Sequence, residues 1–582
     1  MQRKLYYLTT AFLFYTLTTF AQSTYAPIDY EYYHLIDRLD IKGGHAGDIY
    51  TNIKPYFRKD IAKLADSLSK DSSRFSKVDK RDMRYLQDDN WEWSNAAGAG
   101  DSKKPFIWGL YKKNNDFYET TTKGFQLQVN PVIYLSAGKV NAAAVDSLSK
   151  ATSTSKSTFI NTRGIELRGS IDNKVGFYTF LTDNQAILPY YVDDRVTTTS
   201  VVPGEGYWQR YKTNGYDFYD FNGYVDFHFT KHITTQFGHD KNFIGDGYRS
   251  LLLSDYSPSY IFWKIDTKIW KFDYVNIWAR MTGSTIGKIG SVQGDVFYPQ
   301  KYMALHYLSY NVSSKFNIGV FECITYGNTD TINNRQFDFT YLNPVIFYKA
   351  AENGLGAPDK DHLGLTWKWN FMHHFSMYGT IFVDEFNLDQ IRNHTGWWGD
   401  KQALQVGLKW IDVFGIKNLD GQYELNVVRP YCYTHFSYSE VTDYSYFANY
   451  SNYDQPLADP MGANFYENIG ILRFQPTYKL SFVGKAMYTA TGLDAPGSDY
   501  GSNIMIDYNK HPNEYGNVIG QGEWTTIIYM SFTVSYQLTH NMFIDLGAIM
   551  RKETSEYKLY TSDDKMAQFS FRWNIGQRLQ EF

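Results

Sequence analysis

The string Gly238-His239-Asp240-Lys241-Asn242-Phe243-Ile244-Gly245-Asp246-Gly247-Tyr248-Arg249-Ser250, running on to Asp255, concentrates glycine, both signs of charge and hydroxyls. It allows two kinds of chemistry. His239, Lys241 and Arg249 are suited to ligand contact, while glycines that permit tight turns and neighbouring Asp and Arg suit a constricting loop folded into a lumen. No G-x-x-x-x-G-K-[ST] phosphate loop occurs.

The stretch from Tyr431 to Glu467 carries Tyr438, Tyr444, Tyr446, Tyr450 and Tyr453 among Ser, Asn and Asp. Such rings suit sugars, because an aromatic face meets the C–H face of a pyranose while amides, carboxylates and hydroxyls satisfy its hydroxyl groups. They equally suit an interfacial girdle or loop-on-loop packing. Catalysis finds less support. Asp384 and Glu385 are adjacent, and neighbours on a strand point to opposite faces, whereas glycoside hydrolysis needs two carboxyls facing one site about 5 to 10 Å apart. There is no G-x-S-x-G elbow, the 13 His are scattered, and His373-His374 falls at a predicted turn. We therefore expect no catalytic residue, metal or cofactor, and we expect Cys323 and Cys432 to be separate thiols.

The elements that position these groups are strands. Phe569, Phe571, Trp573 and Ile575 alternate with Gln568, Ser570, Arg572 and Asn574, so one face suits lipid and the other water. The same period of two runs through Phe125–Val129, Ile165–Ile171, Phe221–Phe229, Leu363–Trp369, Leu404–Trp410 and Met530–Tyr536. Pro131 is expected to make a bulge. Short polar turns near Asn173-Lys174, Lys231-His232, Ser313-Ser314, His373-His374, Gly415 to Lys417, Thr477-Tyr478 and His540-Asn541 alternate with long connections. The pattern predicts a transmembrane antiparallel β-barrel of about 18 strands over 121–582, with long extracellular loops, in the outer membrane of a Gram-negative bacterium.

Composition agrees with that class. Aromatics make up 18% of 582 residues, yet the mean hydropathy is -0.44 and the pI 6.4, as expected when only alternate residues meet lipid. Near-balanced charge implies no nucleic-acid partner. Residues 1–21 fit a secretory signal cleaved after Ala21. From 22 to 120 the apolar period is helical, with Tyr32, Leu35, Ile36 and Leu39 on one face, Ile61, Leu64, Ala65 and Leu68 on another, and a third helix over Val78 to Leu86. This predicts a small periplasmic helical domain, either a spacer or a plug under the barrel mouth. Glu166, Arg168, Asp226, His228, Arg280, Lys368, Lys409, Glu424, Arg473 and Arg572 are expected to face the lumen. There they would pair across it or line a selective pore.

Four ordered strings, GHDKNFIGDGYRSLLLSD (238–255), YLNPVIFYKAAENGLGAPD (341–359), NVVRPYCYTH (426–435) and PLADPMGANFYE (456–467), resemble the Bacteroidetes branch of the capsule-assembly Wzi family. That branch includes the gliding-motility protein RemB. The Tyr-rich insertion before Pro456 departs from the family pattern. The resemblance implies an outer-membrane barrel with a periplasmic helical segment that holds or organises surface polysaccharide. Its expected partners are outer-membrane lipid and capsular or exopolysaccharide. The alternatives are a structural part of a gliding or secretion apparatus, with machinery proteins as partners, and an oligosaccharide diffusion pore.

Overall fold

The computed structural model describes residues 23–582 except 45–48, 71–72, 103–108, 146–150, 284–290, 293–294, 297, 328–336, 346, 351–358, 437–447 and 557–560. Eighteen antiparallel strands close into one barrel. In chain order they are β1 (Phe125–Val145), β2 (Ala151–Ile171), β3 (Val175–Ile187), β4 (Gly215–His228), β5 (Ile233–Asp240) and β6 (Tyr260–Ile269). Then follow β7 (Phe272–Thr282), β8 (Gln300–Ser313), β9 (Phe316–Gly327), β10 (Lys360–Phe371), β11 (Phe375–Glu385) and β12 (Lys401–Trp410). The last six are β13 (Leu419–Val428), β14 (Phe465–Thr477), β15 (Leu480–Leu493), β16 (Glu523–Thr539), β17 (Met542–Ser555) and β18 (Ser562–Trp573). Pairing of β18 with β1 closes the ring, so no sheet edge is left for lipid to solvate.

The short turns fall where the sequence places them, and the even strand count leaves the start of β1 and the end of β18 at the short-turn end. The run from Tyr260 to Arg280 forms a hairpin, β6 and β7, that turns at Trp270-Lys271. Pro131 makes no bulge, because β1 keeps register with β2 through Asn130↔Glu166, Pro131↔Ile165 and Val132↔Gly164. On its other side β1 pairs with Tyr118–Thr122 as far as Val129 and with β18 only from Ile133, so Pro131 sits where no ladder partner needs its missing N–H.

Three helices occupy the short-turn end: α1 (Tyr30–Gly43), α2 (Arg58–Lys70) and α3 (Lys77–Asp89). Asp29 caps α1, and Ser76 with Asp79 forms a capping box on α3. Their common core holds Tyr33, Ile36, Leu39, Ile61, Leu64, Ala65, Leu68, Met83 and Leu86. Tyr33 takes the fully buried place expected of Leu35, which borders a cavity instead.

Along β7–β9 the inner face is apolar where a lumen-facing row is ordinarily polar. Val275, Ile277, Ala279, Met281, Met303, Leu305, Phe321 and Cys323 point inward and are buried in the main apolar cluster. That cluster also takes in Leu251, Leu252 and Leu253 from the β5–β6 connection and Tyr433, Tyr450 and Leu457 from the β13–β14 connection. The lumen is dry here because those two connections fold into it. Arg280 therefore points outward and is exposed, contrary to the expectation of a lumen charge.

Candidate functional site

The β5–β6 connection is an inward constriction. Phe243-Ile244 pairs with Ile53-Lys54 from the helical segment, and Gly245 N–H donates to the Asn52 carbonyl at 2.9 Å. Glu424 on β13 accepts from the backbone N–H groups of Tyr248 (2.7 Å) and Arg249 (3.0 Å), and Gln405 donates to the Arg249 carbonyl at 3.1 Å. A Cβ on Gly247 would lie 2.7 Å from the Glu424 carboxylate, so only glycine lets the chain approach that anchor. The constriction is held both by the Glu424 carboxylate grasping its backbone and by its own Asp and Arg side chains, Asp246 accepting from the Thr51 hydroxyl at 2.7 Å, Asp255 from the Tyr30 hydroxyl at 2.9 Å, and Arg249 lying 3.5 Å from Glu467.

The ligand groups read from this string are committed to the protein. His239 stands on the outer face of β5 and stacks on Phe221 with ring centroids 5.6 Å apart, so it does not reach the lumen. Lys241 donates to the carbonyls of Gly204 (2.8 Å) and Asp255 (3.0 Å). Arg249 is buried, 3.5 Å from Glu467, and bonded to the Glu581 carbonyl.

The lumen charges mostly meet the helical segment instead of one another. Lys368 reaches Asp40 at 3.1 Å, Lys409 reaches Asp37 at 2.5 Å and Arg473 reaches Glu31 at 3.1 Å. Arg168 binds Glu92 at 2.9 Å, and Glu166 lies 4.0 Å from Arg58. Arg572 pairs within the wall, with Asp545 at 3.0 Å, while Asp226 is buried beside the Tyr25–Tyr224 contact and His228 bonds Thr234. On α1, Arg38 and Lys42 each bridge Asp79 of α3 to Asp412 in the β12–β13 turn, and Arg38 also binds Asp420. Burial alone would raise the Asp79 carboxyl, but Arg38 and Lys42 hold it below the usual carboxylate range. Burial likewise acts against the Arg58 guanidinium and the His540 hydrogen bond at Asp89, and these partners prevail, holding it well below the usual range. At Asp82 burial together with Asp79 outweighs the Gln475 bond and the more distant Arg38, and pushes it up to about 7.

The last strand ends at Trp573 instead of running on through Asn574 and Ile575 as expected, and residues 574–582 turn back from β18 into the lumen. Arg578 binds Glu205 at 2.7 Å, Glu581 binds Lys485 at 2.8 Å, and the Phe582 ring packs 5.7 Å from Tyr191 in the β3–β4 connection. A cavity of about 930 Å³ remains beside the tail, bordered by Tyr30, Arg473, Tyr478, His540, Arg572 and Arg578.

At the long-loop end, three connections build an aromatic shelf. The β11–β12 and β15–β16 connections are stitched by Gly516 N–H to the Thr395 carbonyl and Asn517 N–H to the Gly396 carbonyl, both 2.8 Å. Trp398 stacks on His511 at 4.5 Å and leans on Tyr508 at 4.9 Å, and Trp397 donates its indole N–H to Glu514 at 2.9 Å. His435 and Phe436 of the β13–β14 connection stack at 4.3 Å and reach Tyr508. Lys401 lies beneath, 4.0 Å from the Tyr508 ring. Trp397, Trp398, Tyr508 and His511 are half-buried, with ring surface left over. The shelf was missed because its members come from separate loops, although Trp397-Trp398 was a visible signal.

Of the five tyrosines expected to contact sugar, Tyr438, Tyr444 and Tyr446 lie outside the described residues. Tyr453 is half-buried. Tyr450 is fully buried against Tyr433 and His362, so its ring supports the loops from within and presents no surface to a ligand. Asp384 and Glu385 correct the strand rule: a register shift between Val383 and Glu385 turns both toward Lys360. Their two carboxylates are engaged by lysines, since Glu385 also reaches Lys401 at 3.2 Å. Cys323 and Cys432 are free, buried thiols. Among the described residues no group of three or more His, Cys, Asp or Glu is arranged to hold a metal ion.

No family model matches the sequence, and no curated protein matches it. Among solved structures the chain is similar to Wzi of Escherichia coli, described as a carbohydrate-binding β-barrel of the outer membrane involved in group 1 capsule assembly. That likeness has a TM-score of 0.56 at 11% identity and covers 95% of this chain and 100% of that one. OccAB2 of Acinetobacter baumannii (TM-score 0.41, 8% identity) covers 76% of this chain and 98% of its own. OpdQ of Pseudomonas aeruginosa (TM-score 0.38, 8% identity) covers 76% and 97%. The fold is that of an outer-membrane β-barrel.

Proposed function

We propose that the protein is a non-catalytic outer-membrane barrel that binds surface polysaccharide at its long-loop face, with the short-turn end and its helices in the periplasm. The observation that carries this reading is the Trp397–Trp398–Tyr508–His511 shelf, whose stacked rings are flanked by the Glu514 carboxylate. Flat rings bordered by hydrogen-bonding groups match the alternating C–H and hydroxyl surface of a sugar chain. Tyr453 of the β13–β14 connection is half-buried and is proposed as a further sugar contact, as are Tyr438, Tyr444 and Tyr446, which lie outside the described residues. The fold likeness to a carbohydrate-binding barrel supports the same reading.

The lumen argues against free diffusion, since α1–α3, the β5–β6 constriction and the tail occupy it, each tied to the wall by the bonds given above. A role in gliding or secretion machinery would recruit proteins through the helices, and pull-down on the helical face separates it from glycan binding. The deciding experiment is co-sedimentation of the purified barrel with capsular polysaccharide. The Trp398→Ala variant, with its heat-unfolding temperature unchanged, is expected to bind about 30-fold more weakly, the loss of one aromatic anchor. Equal binding by Trp397→Ala, Trp398→Ala and Tyr508→Ala would refute the shelf as the site.

A further inference from the structure

The lipid-facing wall at β7–β9 carries a feature that glycan binding leaves unexplained. Cross-strand register sets five outward rows there, and the middle one aligns Asn276, His306 and Glu322. The rows on either side are apolar or aromatic, Tyr274-Leu308-Val320 toward the short turns and Trp278-Ala304-Ile324 toward the long loops. A polar row at mid-depth on a lipid face is unfavourable unless its groups are paired and covered. Here they are both. His306 bonds Asn276 at 2.5 Å, and Glu322 accepts from the Lys349 backbone N–H at 3.2 Å.

The cover is the described part of the β9–β10 connection, residues 337–345 and 347–349, which lies on the outside of the barrel. Tyr348 stacks on His306 at 3.9 Å, and the Tyr341 carbonyl accepts the Trp278 indole N–H at 2.7 Å. Tyr274 donates its hydroxyl to the Pro344 carbonyl, and Val345 N–H donates to the Asn343 side chain. Tyr341 and Tyr348 are buried against Trp278, Ala304, Ile324 and Tyr326. The backbone of the segment is thus served by side chains of the wall and by its own turns, the condition for irregular chain at membrane depth. Its outer surface carries Phe339, Val345 and Phe347, exposed at 79%, 82% and 74%, beside the exposed Thr340, Asn343 and Lys349, the last of which lies 3.8 Å from Asp361. That surface continues the lipid-facing band formed by Leu308, Val320 and Leu363.

We propose that residues 337–345 and 347–349 form a re-entrant strap lying in the acyl layer of the membrane, with Phe339, Val345 and Phe347 as its lipid contacts. Its occupant is therefore hydrocarbon, not water or a second protein. The strap keeps the one polar outward row out of contact with lipid while the inward side chains of the same strands pack the dry lumen.

The test uses spin labels at Phe347→Cys and Val345→Cys, in a Cys323→Ala, Cys432→Ala background reconstituted in phospholipid nanodiscs. Val320→Cys is the lipid-facing reference and Asn509→Cys the water-facing one. Both strap labels are expected to collide with oxygen as readily as the Val320 label and to be shielded from a nickel chelate. Chelate access equal to that at Asn509 would overturn the proposal, and so would exclusion of both agents, which would mean that protein covers the strap. Should the substituted barrels fail to insert, the unsubstituted chain is exposed to a phospholipid with a mid-acyl diazirine. Adducts on peptides spanning 337–349 support the strap, and adducts confined to the β-strands refute it.

Discussion

The two ends of this barrel are filled by opposite means. At the short-turn end the lumen is packed with charge: Arg38, Lys42 and Arg58 of the helical segment and Lys368, Lys409 and Arg473 of the wall each meet a carboxylate from the other side or from a neighbouring helix. At the long-loop end it is packed with hydrocarbon and rings, from Leu251–Leu253 to Phe382, Tyr433, Tyr450 and Phe465. A filled lumen needs only volume, but a buried ion pair adds directionality, since each charge must find its partner. The helical segment is thus fixed in register by specific pairs, while the loops above are held by shape and burial.

Breaking one charge at the short-turn end should do the most damage. Arg38→Ala leaves Asp79 and Asp412 to Lys42 alone and takes the guanidinium from Asp420, and removal of one partner from a buried network costs about 3–5 kcal/mol. Differential scanning calorimetry and protease cleavage of α1–α3 should report a loosened helical segment inside a barrel that still inserts. Phe382→Ala is the counterpart above, with a cavity cost of about 3–5 kcal/mol. It should loosen the β5–β6 and β13–β14 connections, whose Leu251, Tyr433 and Tyr450 share its cluster, while leaving the helices protected.

Acid separates the two ends further. Asp79 and Asp89 titrate below their ordinary values when folded, so their contribution is complete above the unfolded value and is lost as pH falls through the folded one. Asp82 works in the other direction: its folded value of about 7 exceeds the ordinary 3.8, so it withdraws stability as pH rises between them. Hydrogen exchange in α1 and α3 should therefore accelerate steeply below about pH 4 and mildly from pH 5 to 7. Amides of the β13–β14 connection over 448–458 should stay protected through the acid step. The smallest expected effect is Tyr433→Phe, which removes the 2.9 Å bond to the Leu251 carbonyl at about 1 kcal/mol. A melting curve in detergent measures it.

Much of the barrel was legible because a strand of period two states its own faces. The rule of apolar outside and polar inside failed where other chain fills the lumen. Arg280 was misplaced because Val275, Ile277 and Ala279 look like a lipid face but pack against the inward loops. His239 was misplaced for a related reason: its neighbour Asp240 drew both into one polar string, although adjacent residues of β5 diverge. The lumen charges Glu166, Arg168, Lys368, Lys409 and Arg473 were found from alternation alone, but their partners on the helices are hundreds of residues away and carry no local signal. The register shift at Val383/Glu385, the returning tail and the aromatic shelf share that obstacle, because each exists only once distant segments meet.

The central claim is that the helices, the β5–β6 constriction and the tail close the lumen, leaving the long-loop face as the working surface. Planar-bilayer conductance of the purified full chain tests it most directly. An open barrel of this strand number holds an aqueous channel, so the account predicts no steady ohmic current from the intact protein. A steady current of porin size, present without denaturant or truncation, would contradict it.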